Sequence, residues 1–84
     1  MTRPRLATGA RLVYDDVRAE HVLLVPEGAA RLNSTAAAVL ELCDGERSLD
    51  EIAGSLSARY AGVDAGHVRE LIDALARRGL VTDA

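Results

Sequence analysis

Apolar and polar positions along the chain follow two different periods, and the change falls at about Asn33. Between Ala10 and Asn33 the apolar residues are mostly Leu or β-branched and are broken by turn chemistry, which predicts strands over about 11–15, 20–25 and 29–32. His21-Val-Leu-Leu-Val25 is apolar at both alternating sets of positions, as expected of a central strand covered on two sides. Arg11, Asp15 and Asp16 put charge on the first strand. Pro26 presets φ for the second position of a turn and Gly28 suits its end, so Val25-Pro-Glu-Gly28 returns the chain as a third strand at the edge of the meander.

Beyond Asn33 the period becomes helical, and cap residues delimit helices over about 35–43, 49–60 and 65–78. Asn33 or Ser34 can accept the first unpaired N–H groups of the first helix, whose apolar side is Val39, Leu40, Leu42 and Cys43, and Gly45 permits a left-handed exit. Ser48 and Glu51 have capping-box spacing and precede Leu49, Ile52, Ala53, Leu56 and Tyr60 on one face, so Ser48→Ala should cost about 1 kcal/mol. The third helix opens at Asp64, carries Val68, Leu71, Ile72 and Leu75, and stops at Gly79. Leu80 and Val81 follow as a short apolar tail able to cover the core. This order predicts an α+β fold, winged helix-turn-helix-like, with a three-stranded antiparallel N-terminal sheet followed by three helices in one domain over 1–84.

Composition narrows the function. A chain of 84 residues buries only about 60–65% of its unfolded surface, which makes a large catalytic pocket improbable. Phe and Trp are absent, removing the usual stacking platforms for single-stranded nucleic acid. Ten basic residues, all Arg, face thirteen acidic ones for a net charge of -3, so the mean field repels phosphate. One cysteine excludes an internal disulfide, and no stretch resembles a signal peptide, a membrane span or a prenylation site. The expectation is a soluble cytoplasmic protein with no membrane partner.

Candidate chemistry is sparse. Cys43 lies on an apolar helix side without a neighbouring His, as a buried structural thiol does, and His21 and His67 lack the close pairing of zinc ligands or of a base with its nucleophile. Adjacent strand residues point to opposite faces, so Asp15 and Asp16 fit a solvated turn better than a carboxylate pair. No catalytic residue, metal site or cofactor is expected. The competing function is a winged-helix DNA-binding transcription regulator. Against it, the start of the third helix offers Asp64, His67, Glu70 and Asp73, while Arg77 and Arg78 stand at the far end, where they complement the helix dipole.

The third strand carries the sharper reading. Ala29, Ala30, Arg31 and Leu32 have small side chains and no proline, so a row of backbone N–H and C=O groups is open to an added strand. The alternative is an edge merely too short to need protection. If a guest strand pairs there, Ala30→Pro is expected to remove a pairing N–H and abolish peptide binding while the domain stays folded. The same edge could pair with a second copy, which leaves monomer and homodimer both open.

Several segments resemble the PqqD-type peptide chaperones of pyrroloquinoline quinone (PQQ) biosynthesis, a family of recognition elements for ribosomally made, modified peptides. The residues are Leu23, Leu24, Pro26, Glu27 and Gly28; then Leu32, Asn33, Thr35 and Ala36; then Leu42, Cys43, Asp44 and Gly45, with Arg47 and Ser48 following and Asp15, Val17 and Arg18 upstream. Val25 and Leu80 depart from the family, which often has Tyr and an aromatic residue at those places.

The resemblance implies three strands and three helices, no catalytic activity, and a precursor peptide, PqqA, docked as an added strand between the third strand and the third helix. It also implies presentation of PqqA to the radical S-adenosylmethionine enzyme PqqE. Recognition of another ribosomally made peptide is the neighbouring alternative. On this reading the groove residues are Ala29, Ala30, Arg31, Leu32 and Asn33 on the strand and Arg69, Ile72, Asp73 and Ala76 on the helix. The opposite helix flank, His67, Leu71, Ala74 and Arg78, is the alternative.

Overall fold

Residues 3–83 are described by the structure, a computed structural model. The three expected strands form an antiparallel meander, and a second, two-stranded sheet joins the two ends of the chain. The order is β1 (Pro4–Leu6), β2 (Arg11–Asp15), β3 (Glu20–Val25), β4 (Gly28–Leu32), α1 (Ser34–Glu41), α2 (Leu49–Arg59), α3 (Ala65–Arg77) and β5 (Val81–Asp83). The α+β class, with a three-stranded antiparallel sheet and three helices, agrees with the hydrophobic pattern.

β3 is central, between β2 and β4, but it is covered on one side only. Leu23 is fully buried, while Leu24 on the opposite face is 37% exposed. The reason is that α1 packs against β2, β3 and β4, and the apolar inward set, Leu12, Leu23, Val25, Ala30 and Leu32, belongs to the core or packs on it. Val13, Val22 and Leu24 take the other face by alternation.

Local chemistry fixes each helix. Asn33 Oδ1 accepts from the Ala36 N–H at 2.7 Å, and the alanines that follow let α1 approach the sheet closely, with Ala36 through Leu40 all buried. The Ser48–Glu51 box is reciprocal: Ser48 N–H donates to Glu51 Oε1 at 2.9 Å and Glu51 N–H to Ser48 Oγ at 3.2 Å. Asp64 Oδ1 accepts from the His67 N–H at 2.9 Å. At the end of α3, Gly79 takes φ 75° and its N–H donates to Ala76 O, while Leu80 N–H reaches back to Leu75 O at 2.9 Å. That closure turns Leu80 and Val81 into the core.

The small sheet was not expected. Pro4 pairs with Asp83 and Leu6 with Val81, the Arg3 N–H donates to Asp83 Oδ1 at 2.8 Å, and the Gly45 N–H donates to Pro4 O at 3.0 Å. The apolar tail therefore continues into a strand after Leu80, held by the N-terminal segment. One core results, built from Leu23, Val39, Leu40, Ile52, Leu56, Val68, Ile72 and Val81 among others.

Candidate peptide-binding site

β4 is an edge of the meander, and hairpin geometry determines which of its backbone groups are open. Pro26 and Glu27 form a two-residue turn, with Val25 opposite Gly28. The flanking pair exchanges the turn bond, so the hydrogen-bonded pairs are Val25–Gly28, Leu23–Ala30 and His21–Leu32. Ala29 and Arg31 consequently direct their N–H and C=O groups away from β3. Among the described residues, no backbone hydrogen bond from another element reaches either of them. β2 is the opposite edge, but the concavity lies against β4.

That concavity is a shallow depression of about 270 Å³, lined by Val25, Glu27, Gly28, Ala29, Ala30, Arg78 and Leu80. Its walls come from the β3–β4 turn and from the chain just past α3. The volume suits one or two side chains and falls below the usual size of a small-molecule site. Glu27 and Arg78 set one charge of each sign beside an apolar floor of Val25, Ala30 and Leu80.

The expected groove residues separate into three groups. Ala29 and Ala30 border the depression. Arg31 is exposed on the outer sheet face, its Nε 3.4 Å from Glu20 Oε2. Leu32 is half-buried and packs on the core, and the Asn33 side chain is already engaged as the α1 cap. On α3, Arg69 and Asp73 are exposed and Ala76 is half-buried. Ile72 is 0% exposed, so its expectation as a groove contact needs correction: it lies on the core stripe with Val68 and Leu75, where a guest side chain has no access.

Of the opposite flank, Arg78 lines the depression, Leu71 packs partly on the core, Ala74 is half-buried, and exposed His67 stands 3.5 Å from the Asp64 carboxylate. Sequence reasoning missed Val25, Glu27, Gly28 and Leu80 as lining residues. The turn chemistry of Pro26 and the helix stop at Gly79 were the signals available for them.

None of the ionisable groups with a perturbed pKa lies in the depression. Burial, followed by the neighbouring Asp44 charge, pushes the Cys43 thiol up to about 11, and its Sγ donates to Val39 O at 3.3 Å, leaving an inert core thiol. The Asp44 carboxyl is held low chiefly by the Glu46 N–H, Glu51 by the Ser48 N–H and Asp64 by the His67 N–H, all three as capping or turn acceptors. Asp15 likewise serves a turn, accepting from the N–H groups of Val17 and Arg18.

A family model described as coenzyme PQQ synthesis protein D (PqqD) matches residues 20–81, from the central strand to the start of the last one. The chain belongs to the PqqD family. Among its PqqD relatives is the PqqA binding protein of Methylococcus capsulatus, 36% identical over 75 residues that cover 87% of this chain and 80% of that protein. The bifunctional coenzyme PQQ synthesis protein C/D of Methylorubrum extorquens is 47% identical over 57 residues, which span 68% of this chain and 15% of the larger protein.

The PqqD fold recurs in solved structures. The PqqD portion of Methylobacterium extorquens PqqCD, described as a functional stand-alone recognition element for ribosomally synthesised and modified peptides, superimposes with TM-score 0.73 at 36% identity, covering 94% of this chain and 87% of that one. TbiB1 in complex with the TbiA(β) leader peptide has TM-score 0.73 at 23% identity, covering 95% of this chain and 96% of that one, and shares the PqqD fold. Among the described residues no helix is long and apolar enough to cross a membrane.

Proposed function

We propose that this chain is a PqqA-binding adaptor of PQQ biosynthesis that captures the precursor peptide as an extra strand on β4 and presents it to the radical S-adenosylmethionine enzyme PqqE, without catalysing a reaction itself. The observation that carries this reading is the open backbone row at Ala29 and Arg31 beside the depression of Val25, Ala30, Arg78 and Leu80. Membership of a family whose relatives are named for binding PqqA supplies the identity of the guest.

Strand addition gives affinity through main-chain hydrogen bonds of about 0.5–1.5 kcal/mol each, while alternate guest side chains meet the depression. A disordered peptide loses roughly 2–5 kcal/mol in ordering, so a site this small supports binding of about micromolar strength. Such capture is reversible. Holding part of the peptide on β4 leaves the remainder free to enter an active site and raises its local concentration there.

The test is a titration of isotope-labelled protein with a synthetic PqqA peptide, followed by amide resonances. The largest changes and new exchange protection are expected at Ala29 and Arg31. A saturating titration that leaves those two amides unchanged, with the changes mapping to β2 or to the outer sheet face, would rule out strand addition at β4.

A further inference from the structure

The outer face of the β4 edge holds an arginine whose arrangement goes beyond backbone pairing. Arg31 is 70% exposed, and among the described residues its ion-pair partner is Glu20 on β3. The approach is through Nε, and no hydrogen bond engages the terminal guanidinium nitrogens among the described residues. Glu20 Oε2 is itself buried and makes no hydrogen bond among the described residues, so the Arg31 guanidinium 3.4 Å away is the cation that faces it, while the Glu20 side chain as a whole is 31% exposed. The pair therefore holds Arg31 against the sheet with its two-pronged end unoccupied. A guanidinium in that state can take a second carboxylate through both prongs.

A strand added to β4 would place one side chain about 5 Å from Arg31, measured between Cβ atoms. The next guest residue, opposite Ala30, points to the other face, into the depression floored by Val25, Ala30 and Leu80. Arg31 is the cation on the outer face of β4 beside that guest position, whereas Arg78 lies on the depression side with Glu27, so a carboxylate opposite Arg31 meets the guanidinium directly.

We infer that Arg31 selects a guest segment carrying an acidic side chain at the strand position beside it, immediately next in sequence to an apolar residue that enters the depression. This rests on the strand-addition reading above and specifies the chemistry of the peptide accepted there. Arg31 is a specificity-determining residue, and Glu20 positions it.

Calorimetric titration with a synthetic PqqA peptide, and with variants in which each Asp or Glu is replaced singly by its amide, tests the inference. One amide replacement should weaken binding to the unaltered protein about fivefold, the reach of an exposed ion pair. E20Q/R31Q, which removes the cation without leaving Glu20 unpaired beside the guest, should weaken binding of the unmodified peptide by the same factor, flatten its salt dependence, and be indifferent to that amide replacement. R31Q alone, which leaves the Glu20 carboxylate facing the guest acid, should weaken binding of the unmodified peptide at least as much. Tight binding that is equal in the unaltered protein and both variants, or losses from R31Q and the amide peptides that multiply, would overturn the role of Arg31 while leaving strand addition standing. A peptide that does not bind the unaltered protein would overturn both.

Discussion

Ala30 stands opposite Leu23 in the β3–β4 ladder, so its N–H and C=O are engaged inside the sheet and are not available to a guest. This changes what a proline scan of the edge should show. The outward-facing donors belong to the residues on either side of it, Ala29 and Arg31.

Ala29→Pro removes an outward N–H on an edge strand, where proline is tolerated, and is expected to lower affinity for a PqqA peptide about two- to tenfold, the effect of losing one main-chain bond of about 0.5–1.5 kcal/mol. Its circular dichroism and thermal midpoint should stay close to those of the unaltered protein. Ala30→Pro, in contrast, breaks a ladder bond between β3 and β4 and should destabilise the fold by about 1–3 kcal/mol. The sequence-based expectation that Ala30→Pro spares the fold is thereby corrected. If Ala29→Pro bound the peptide unchanged, the edge assignment would fail.

Ile72 separates a core role from a groove role. A fully buried Ile that loses one methyl leaves a small cavity, so Ile72→Val should cost about 0.5–1.5 kcal/mol in chemical denaturation. Peptide affinity, measured where the variant remains folded, should not change. An affinity loss without a stability loss would put Ile72 in contact with the guest, contrary to its packing among Val68, Leu75 and the α2 residues Ile52 and Leu56.

Much of this molecule was legible in its sequence because its signals are local. Asn33, Ser48 and Asp64 each announce a helix start within three residues of the N–H they accept, and Pro26 marks the turn that makes β4 an edge. The β1–β5 sheet was not legible, because Pro4–Leu6 and Val81–Asp83 are three residues each and become strands only by meeting across nearly the whole chain. The site fell between these cases. Its strand followed from alternation, but its floor combines Val25 and Leu80, which are distant in sequence and are brought together by the closure at Gly79. Helical periodicity defines a stripe on α3 without saying how wide the buried part is, so it does not by itself divide Ile72 from the flank beside it.

Cys43 gives a pH dependence whose sign can be worked out. Burial raises the thiol pKa in the folded protein from an ordinary 9.0 to about 11, so between those values the unfolded chain has released a proton that the folded one retains. Folded-state proton binding in excess of the unfolded state means that stability falls as pH rises. The contribution is constant below pH 9.0 and is lost on passing toward 11, amounting to on the order of 2 kcal/mol at the upper end. Urea denaturation at steps from pH 8 to 11 should show this decline, and Cys43→Ala, though less stable at neutral pH through lost packing, should show a shallower one. The same burial predicts slow modification of the native thiol by an aromatic disulfide reagent, accelerating many-fold in urea. Parallel alkaline slopes for the two proteins would mean that Cys43 ionises as readily folded as unfolded, which its place in the core and its contact with Val39 O contradict.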